Sequence, residues 1–353
     1  MDIRYFSDKV VKWYEHNKRD LPWRETRDPY NIWLSEIILQ QTRVNQGLPY
    51  YLKFIEKFPD VKALAASSEQ EVLRLWQGLG YYTRARNLHK CAREVVNNYG
   101  AAFPNTFESL KKLRGVGDYT AAAIASISFK ERVAVLDGNV FRVLSRVFGI
   151  EKEINSSEGK KAFAALASEL LSKKHPDLHN QAIMEFGALY CTPKNPECHQ
   201  CVFRTKCFAA QNNMQHLFPV KAKSKAARKR YFYYFVIQKG KSLLMKKREE
   251  KDIWHGLFDF VLLEKSKPAK IEKLIHQLNS AKQLMIYVDS VEVSGFYKNI
   301  LSHQIILSKF ILVKECYSAN LLKDRYKFYT AIKIADLPKP VLISRFLADY
   351  QLL

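Results

Sequence analysis

No apolar run in the 353-residue chain approaches the ~20 residues needed to cross a bilayer, so no transmembrane helix is expected. The opening stretch, MDIRYFSDKVVKWYEH, lacks the apolar core of a signal peptide, which points to an internal, soluble protein with the cytoplasm as its compartment. Acidic residues are outnumbered: 35 Asp and Glu face 57 Lys and Arg, giving a formal charge of +22 and a pI near 9.6. That excess is more than solubility requires and implies a polyanionic partner, either nucleic acid or an anionic membrane surface. Charge alone does not choose between the two. Cysteine is sparse, six residues in all, and four of them crowd into 191–207 while Cys91 and Cys316 stand alone. This placement argues against a disulfide framework and for metal ligation in a reducing compartment. Internal repeats are absent, and low-complexity sequence is confined to one basic stretch.

What is present reads as two domains, each with enough chain to bury a core. Apolar spacing near 3.6 recurs in 31–45, 69–77, 82–98, 118–129, 139–148, 158–172 and 178–190, and KFPD, NNYGAAFPN, RGVGD and KKHPD separate these segments. The expectation is a mainly α first domain, a compact helical bundle over 1–219. VKAKSKAARKR, residues 220–230, breaks the pattern and reads as a basic linker, either a solvated tether or an arm that tracks DNA. Beyond it the grammar turns to strands. RYFYYFVIQ and SLLMKK flank KGK as a hairpin, followed by GLFDFVLLE, MIYVDSVEVSGF and SHQIILSKFILV, with one helical segment, AKIEKLIHQLNS. The second domain, 231–353, is therefore expected to be α+β.

CTPKNPECHQCVFRTKC places Cys191, Cys198, Cys201 and Cys207 with six, two and five residues between them. Four thiolates this close can surround one metal centre. Zinc sites of four cysteines usually come as two distant pairs, whereas only one CxxC is present here, so an iron–sulfur cubane fits better and zinc is the alternative. A structural cluster that pins the loop is the simplest reading, with Lys194, Arg204 and Lys206 displayed toward phosphates. In LRGVGDYTAAAIAS, Gly115 and Gly117 flank Val116 and run into an alanine-rich helix. Two glycines permit a tight turn with amide N–H groups facing outward at a helix start, a phosphate cradle. A dinucleotide-binding loop is a poorer alternative, because a third glycine and a preceding strand are missing. The segment reads as a helix-hairpin-helix DNA-binding element.

Residues 5 to about 215 resemble the endonuclease III superfamily of DNA glycosylases through Leu113–Thr120, VLDGNVFRVLSR and the cysteine loop. DLPWR, SEIILQQTRV, GLGYYTRARNLH and LDGNVFRVLSRVFGI further resemble the adenine DNA glycosylase (MutY) branch. The resemblance implies a two-lobed helix-hairpin-helix glycosylase domain with a 4Fe–4S cluster in its cysteine loop and a C-terminal Nudix-like domain. It also implies removal of adenine mispaired with 8-oxoguanine or guanine in double-stranded DNA, at the nucleoid. A monomer is expected, since an asymmetric lesion offers no two-fold site.

Releasing adenine requires protonation of a poor leaving group and shelter for a cationic sugar, hence an acid and a carboxylate anion. Glu36 sits beside the apolar run Ile37-Ile38-Leu39; helical spacing puts it on one side with Trp33 and Gln40, and an apolar niche would let it keep a proton. Asp137 precedes a helix, where free N–H groups and the dipole would hold it as an anion. By resemblance Asp137 is the catalytic aspartate and Asn139 positions it or the water. Tyr119 takes the place where bifunctional relatives carry a lysine, so a monofunctional enzyme is implied, with the Tyr119 hydroxyl ordering the carboxylates. The resemblance further makes Gln41 and Tyr81 the intercalating residues and places Arg24 near the adenine pocket.

In the second domain IWHGLFDF resembles the family's tryptophan-glycine-leucine-aromatic segment. LSHQIILSKF resembles its 8-oxoguanine-reading loop, with Leu301 where phenylalanine is usual and Ser302 and His303 able to donate hydrogen bonds to the lesion. The glutamate-rich magnesium helix of Nudix enzymes is not found, so pyrophosphate hydrolysis is not expected. Two competing readings are a pyrimidine-lesion glycosylase/lyase, opposed by Tyr119, and a catalytically silent DNA-binding protein, opposed by the pair Glu36 and Asp137.

Overall fold

Short polar residues ahead of apolar runs start the helices that shape the site. Asp28 accepts the Tyr30 N–H and is followed by Pro29 at the first position of the helix Pro29–Leu39, while Ser156 accepts the Gly159 N–H ahead of Ser157–Leu170. Gly149, at φ 68°, ends the helix Gly138–Phe148. The structure, a computed structural model, describes residues 2–222, 227–250, 252–280, 285–286, 291–301, 303–313, 316–317 and 326–353. Among these no helix is long and apolar enough to cross a membrane.

The chain forms two compact units, Met1–Ala66 with Asn87–Lys223, and Ser67–Arg86 with Ser224–Leu353. A boundary drawn from composition keeps 67–86 with the helices around it; tertiary contacts assign that segment to the second unit. The reason is side-chain chemistry that spacing does not reveal. The Arg86 guanidinium donates to the His255 carbonyl at 2.6 Å, the Gln77 amide donates to the Ser344 hydroxyl at 3.1 Å, and Trp76 is fully buried.

The first unit is helical, as its periodicity predicts. Ile3–Asn17, Val44–Lys57, Asp118–Phe129 and Pro176–Leu189 pack with Pro29–Leu39, Gly138–Phe148 and Ser157–Leu170 around an aromatic core. Phe6 stacks on Phe203 at 4.9 Å, and Phe186 meets Phe203 edge-on at 5.4 Å. Since Phe203 lies inside the cysteine loop, this packing anchors the loop to the core; burying such a ring contributes about 1.5–3 kcal/mol. One expectation is corrected. The helical segment read as 31–45 is broken: Gln40 caps the first helix at ψ 113°, Gln41 turns left-handed at φ 56°, and a new helix starts at Val44. Gln40 therefore leaves the helical face it was expected to share with Trp33 and Glu36.

The second unit is α+β. Its strands are Arg228–Lys239 (β1), Ser242–Lys247 (β2), Phe258–Asp259 (β3), Val261–Lys265 (β4), Met285–Ile286 (β5), Val291–Val293 (β6), Tyr297–Ile300 (β7), Gln304–Val313 (β8), Cys316–Tyr317 (β9) and Lys327–Thr330 (β10). A mixed sheet runs β10-β2-β1-β8-β6, with β3, β4 and β7 attached to β2, β1 and β8. The β1–β2 hairpin forms around Gly240 at φ 58°, and β1 runs parallel to β8 in the register Arg228↔Gln304 to Ile237↔Val313. Arg228, Lys229 and Arg230 are thus strand residues, which shortens the expected 220–230 linker from its C-terminal end. β1 is buried without a break from Phe232 to Ile237, so both of its faces are covered. Ile271–Ser280 packs Leu274, Ile275 and Leu278 on the Phe235–Ile311 side, and Phe346 of the helix Val341–Asp349 stacks on Phe310 at 4.0 Å on the other.

Candidate active site

The helix Pro29–Leu39 buries Trp33, Leu34, Ile37 and Ile38, and this fixes where Glu36 points. It faces a cavity whose wall also carries Trp23, Arg24, Tyr119, Asp137, Asn139, Met184 and Glu185. Burial pushes the Glu36 carboxyl up to about 7, and the nearby Asp137 charge pushes the same way, while a hydrogen bond from Tyr119 and the charge of Arg24 oppose it. An acid that holds its proton near neutrality follows from this packing.

Asp137 caps Gly138–Phe148. Its Oδ1 accepts the N–H groups of Asn139 at 2.9 Å and Val140 at 2.7 Å, and its Oδ2 accepts the Asn139 side-chain amide at 2.7 Å. The expectation that the helix end would keep this acid low is corrected: burial raises its pKa, and the three hydrogen bonds and Arg142 only partly counter that. The two acids therefore differ by what donates to them. Asp137 receives three N–H groups, whereas Glu36 is bonded by one phenol.

Arg142 explains why Asn139 keeps its orientation. Its guanidinium donates to Asn139 Oδ1 at 2.8 Å, to the Gly187 carbonyl at 2.6 Å and to the Cys191 carbonyl at 2.7 Å. Asn139 must then donate toward Asp137. Gly187 makes the approach possible, because a Cβ there would lie 2.6 Å from Asn139 Cβ. Neither Arg142 nor Gly187 was singled out by sequence reasoning.

Tyr119 lies on Asp118–Phe129, bonds Glu36 through its hydroxyl and approaches Met184 Sδ at 3.3 Å. Arg24 lines the cavity but is committed to Glu185, with Nη1 to Oε1 at 2.7 Å and Nη2 to Oε2 at 2.5 Å; Arg19 adds a second fork to the same carboxylate. Burial alone would raise Glu185, yet the hydrogen bonds and charges of the two arginines hold it down to about 2. Glu185 was missed although it bears the same signature as Glu36, an acid within the apolar run AIMEFGAL.

At the hairpin, Gly115 adopts φ 77° and an added Cβ would meet Asn87 Cβ at 2.8 Å, so glycine is required there. Gly117 caps the next helix at φ −96°, an ordinary conformation with open space around it. Gln41, exposed on the rim of the cavity, and Tyr81, in the second unit, both turn left-handed, at φ 56° and 47°. Neither is glycine, which marks both turns as strained. His303 is exposed at the tip between β7 and β8, where the Leu301 N–H donates to the Gln304 carbonyl at 2.8 Å. Ser302 lies outside the described residues.

Cys191, Cys198, Cys201 and Cys207 line one small cavity with Arg146, Phe186 and Tyr190. Cys191 Sγ accepts from Arg146 at 3.5 Å, Cys201 Sγ from the Phe203 N–H at 3.4 Å, and Cys198 Sγ from the Gln215 amide at 3.7 Å. Among the described residues no three such groups converge on a point that would hold a single metal ion. The four thiols line this cavity together, with N–H donors aimed at three of their sulfurs.

Residues 34–171 match the HhH-GPD superfamily base excision DNA repair proteins. The adenine DNA glycosylase of Buchnera aphidicola from Schizaphis graminum is 37% identical over 261 residues, 74% of this chain and 75% of that protein. Its counterpart from the Acyrthosiphon pisum strain is 33% identical over 326 residues, 91% of this chain and 90% of that one. Among solved structures, a thermostable thymine-DNA glycosylase aligns with TM-score 0.56 and 31% identity, over 60% of this chain and 97% of its own. Fold and site thus define a helix-hairpin-helix base-excision DNA repair protein. Within that superfamily, the chain belongs to the adenine DNA glycosylase family.

Proposed function

We propose that the protein hydrolyses the N-glycosidic bond of adenine paired with 8-oxoguanine or guanine in duplex DNA, leaving an abasic site and an intact strand. The observation that carries this reading is one cavity that brings Glu36 and Asp137 together with unequal hydrogen bonding. Glu36 protonates the purine and so makes it a neutral leaving group. Asp137, better supplied with donors, takes the negative role and stabilises the positive charge that grows on the deoxyribose. Asn139 and Arg142 keep its lone pairs aimed, and water completes the hydrolysis.

Tyr119 stands on the cavity wall where a lyase would need an amine, and a phenol forms no imine, which supports the monofunctional reading. Gln41, on its strained turn, and Tyr81, on another, are the residues the resemblance makes intercalating, while the amides at Gly115–Gly117 hold backbone phosphate. Arg24 and Glu185 wall the adenine pocket as a fixed ionic pair. The second unit serves as a Nudix-like lesion reader, with Ser302 and His303 meeting 8-oxoguanine and Leu301 as an apolar wedge. Cys191, Cys198, Cys201 and Cys207 would hold a 4Fe–4S cluster, whose contribution is to brace the loop that receives Arg142 and Arg146.

A single-turnover assay tests the reading, on duplexes carrying adenine opposite 8-oxoguanine, guanine or thymine, with strand scission scored separately from base release. Adenine is released fastest opposite 8-oxoguanine, and strands break only after later alkaline treatment. Release from none of the duplexes would favour a silent DNA-binding protein, and prompt scission a lyase. Iron and acid-labile sulfide near four each per chain test the cluster.

A further inference from the structure

The glycine turn at the hairpin is pinned to a neighbouring helix. The Arg114 N–H donates to Glu94 Oε2 at 3.0 Å, and Gly115 packs on Asn87, both partners lying on Thr83–Tyr99. Beside this seam opens a cleft lined by Lys90, Arg93, Glu94, Asn97, Lys112 and Arg114. Its four cations are exposed, and none forms an ion pair with another described residue. Glu94 is the one acid, already turned toward the Arg114 backbone. Unneutralised like charges gathered in a concavity repel one another, and a polyanion relieves that repulsion while shedding its counterions.

We propose that this cleft is a second phosphate track, binding the backbone of flanking duplex at two or three phosphates away from the flipped base. A phosphodiester backbone fits better than an acidic protein for two reasons. Arg114, which lines the cleft, is next in sequence to Gly115, so a strand held at the Gly115–Gly117 amides has the cations of the cleft beside it. Lys90, Arg93 and Asn97 also follow one another at helical spacing along its wall, and each carries N–H donors of the kind phosphate oxygens require. The track carries no base information; it adds sequence-independent affinity for searching DNA and for holding the abasic product. The inference rests on the protein acting on duplex DNA.

The test uses the full chain. Lys90→Ala/Arg93→Ala/Lys112→Ala is compared with Lys160→Ala/Lys161→Ala/Lys173→Ala, a triple of exposed lysines with the same charge change outside the cleft. Binding to undamaged duplexes of about thirty base pairs is followed against salt. Each phosphate contact contributes about 0.9 to the slope of log K on log salt, so the cleft triple should lower the slope by roughly two to three and the control by less than about one. Base release at saturating enzyme stays within about twofold of the parent, and trimming both flanks to a few base pairs abolishes the difference between the triples. Arg93→Glu alone, which leaves the helix periphery otherwise intact, should reproduce the effect in part. Equal slopes for the two triples overturn the track. A parent protein that releases no base overturns the proposed function instead, and the slopes remain readable in that case.

Discussion

A carboxylic acid that is to donate a proton at neutrality has to be kept from water, and the role proposed for Glu36 fits its burial on a helix that also buries Trp33, Ile37 and Ile38. Its folded pKa, up to about 7, lies above the ordinary carboxylate range, so the acid form persists below neutrality and is lost as pH rises through 7. Base release should therefore fall above about pH 7. Glu36→Gln should cost roughly 100- to 10,000-fold in single-turnover rate, erase that alkaline limb and leave DNA affinity within a few fold. Asp137→Asn should cost a comparable factor, because an amide keeps the cap but loses the charge; near-parental rates in either variant would remove that residue from the chemistry. Gly115→Ala tests the hairpin. Its φ of 77° and the approach to Asn87 predict a lower melting temperature and at least about tenfold weaker DNA binding, whereas Gly117→Ala, unstrained and open, should resemble the parent in both. Glu36, Asp137, Tyr119 and the hairpin glycines were all legible as residue types in context. The ionisation of Asp137 was not, because its desolvation comes from neighbours remote in sequence.

At the level of the element, the helix Gly138–Phe148 joins two sites. Asp137 caps its start, Arg142 one turn on reaches Asn139 and the Cys191 carbonyl, and Arg146 reaches the Thr192 carbonyl at 2.7 Å. Buried carbonyls that lose a charged donor cost about 1–3 kcal/mol each. Arg142→Gln should thus lower the melting temperature, and by freeing Asn139 it should slow base release by about 100-fold with DNA affinity largely kept. A purely structural role would lower the melting temperature and leave the rate at permissive temperature unchanged. Helical period located this element well, since its apolar face repeats. It failed at 40–43, where a turn with non-glycine Gln41 at φ 56° interrupts a segment whose composition still reads as helix. Packing supports a strained turn there, and local propensity cannot report it.

On the scale of the whole molecule, the division into units departs from the order of the chain. Residues 67–86 belong with 224–353, held by Arg86 on the His255 carbonyl and Gln77 on Ser344. Ending the chain at 223 should leave Arg86 without the His255 carbonyl, Gln77 without Ser344 and Leu73 without Gly256, so amide protection in 67–86 should vanish and the truncated protein should aggregate or melt earlier than the full chain. Retained protection there would show that the segment folds without the second unit. The sequence by itself determined the helical and strand halves and pointed to the candidate acids, the candidate thiols and a polyanionic partner, because period, residue type and charge are read from the chain alone. Tertiary structure alone decided that burial raises both acids of the cavity, that Glu185 clamps Arg24, and that 67–86 changes allegiance. Desolvation, ion pairing and close packing depend on groups brought together from distant parts of the chain, and no local pattern records them.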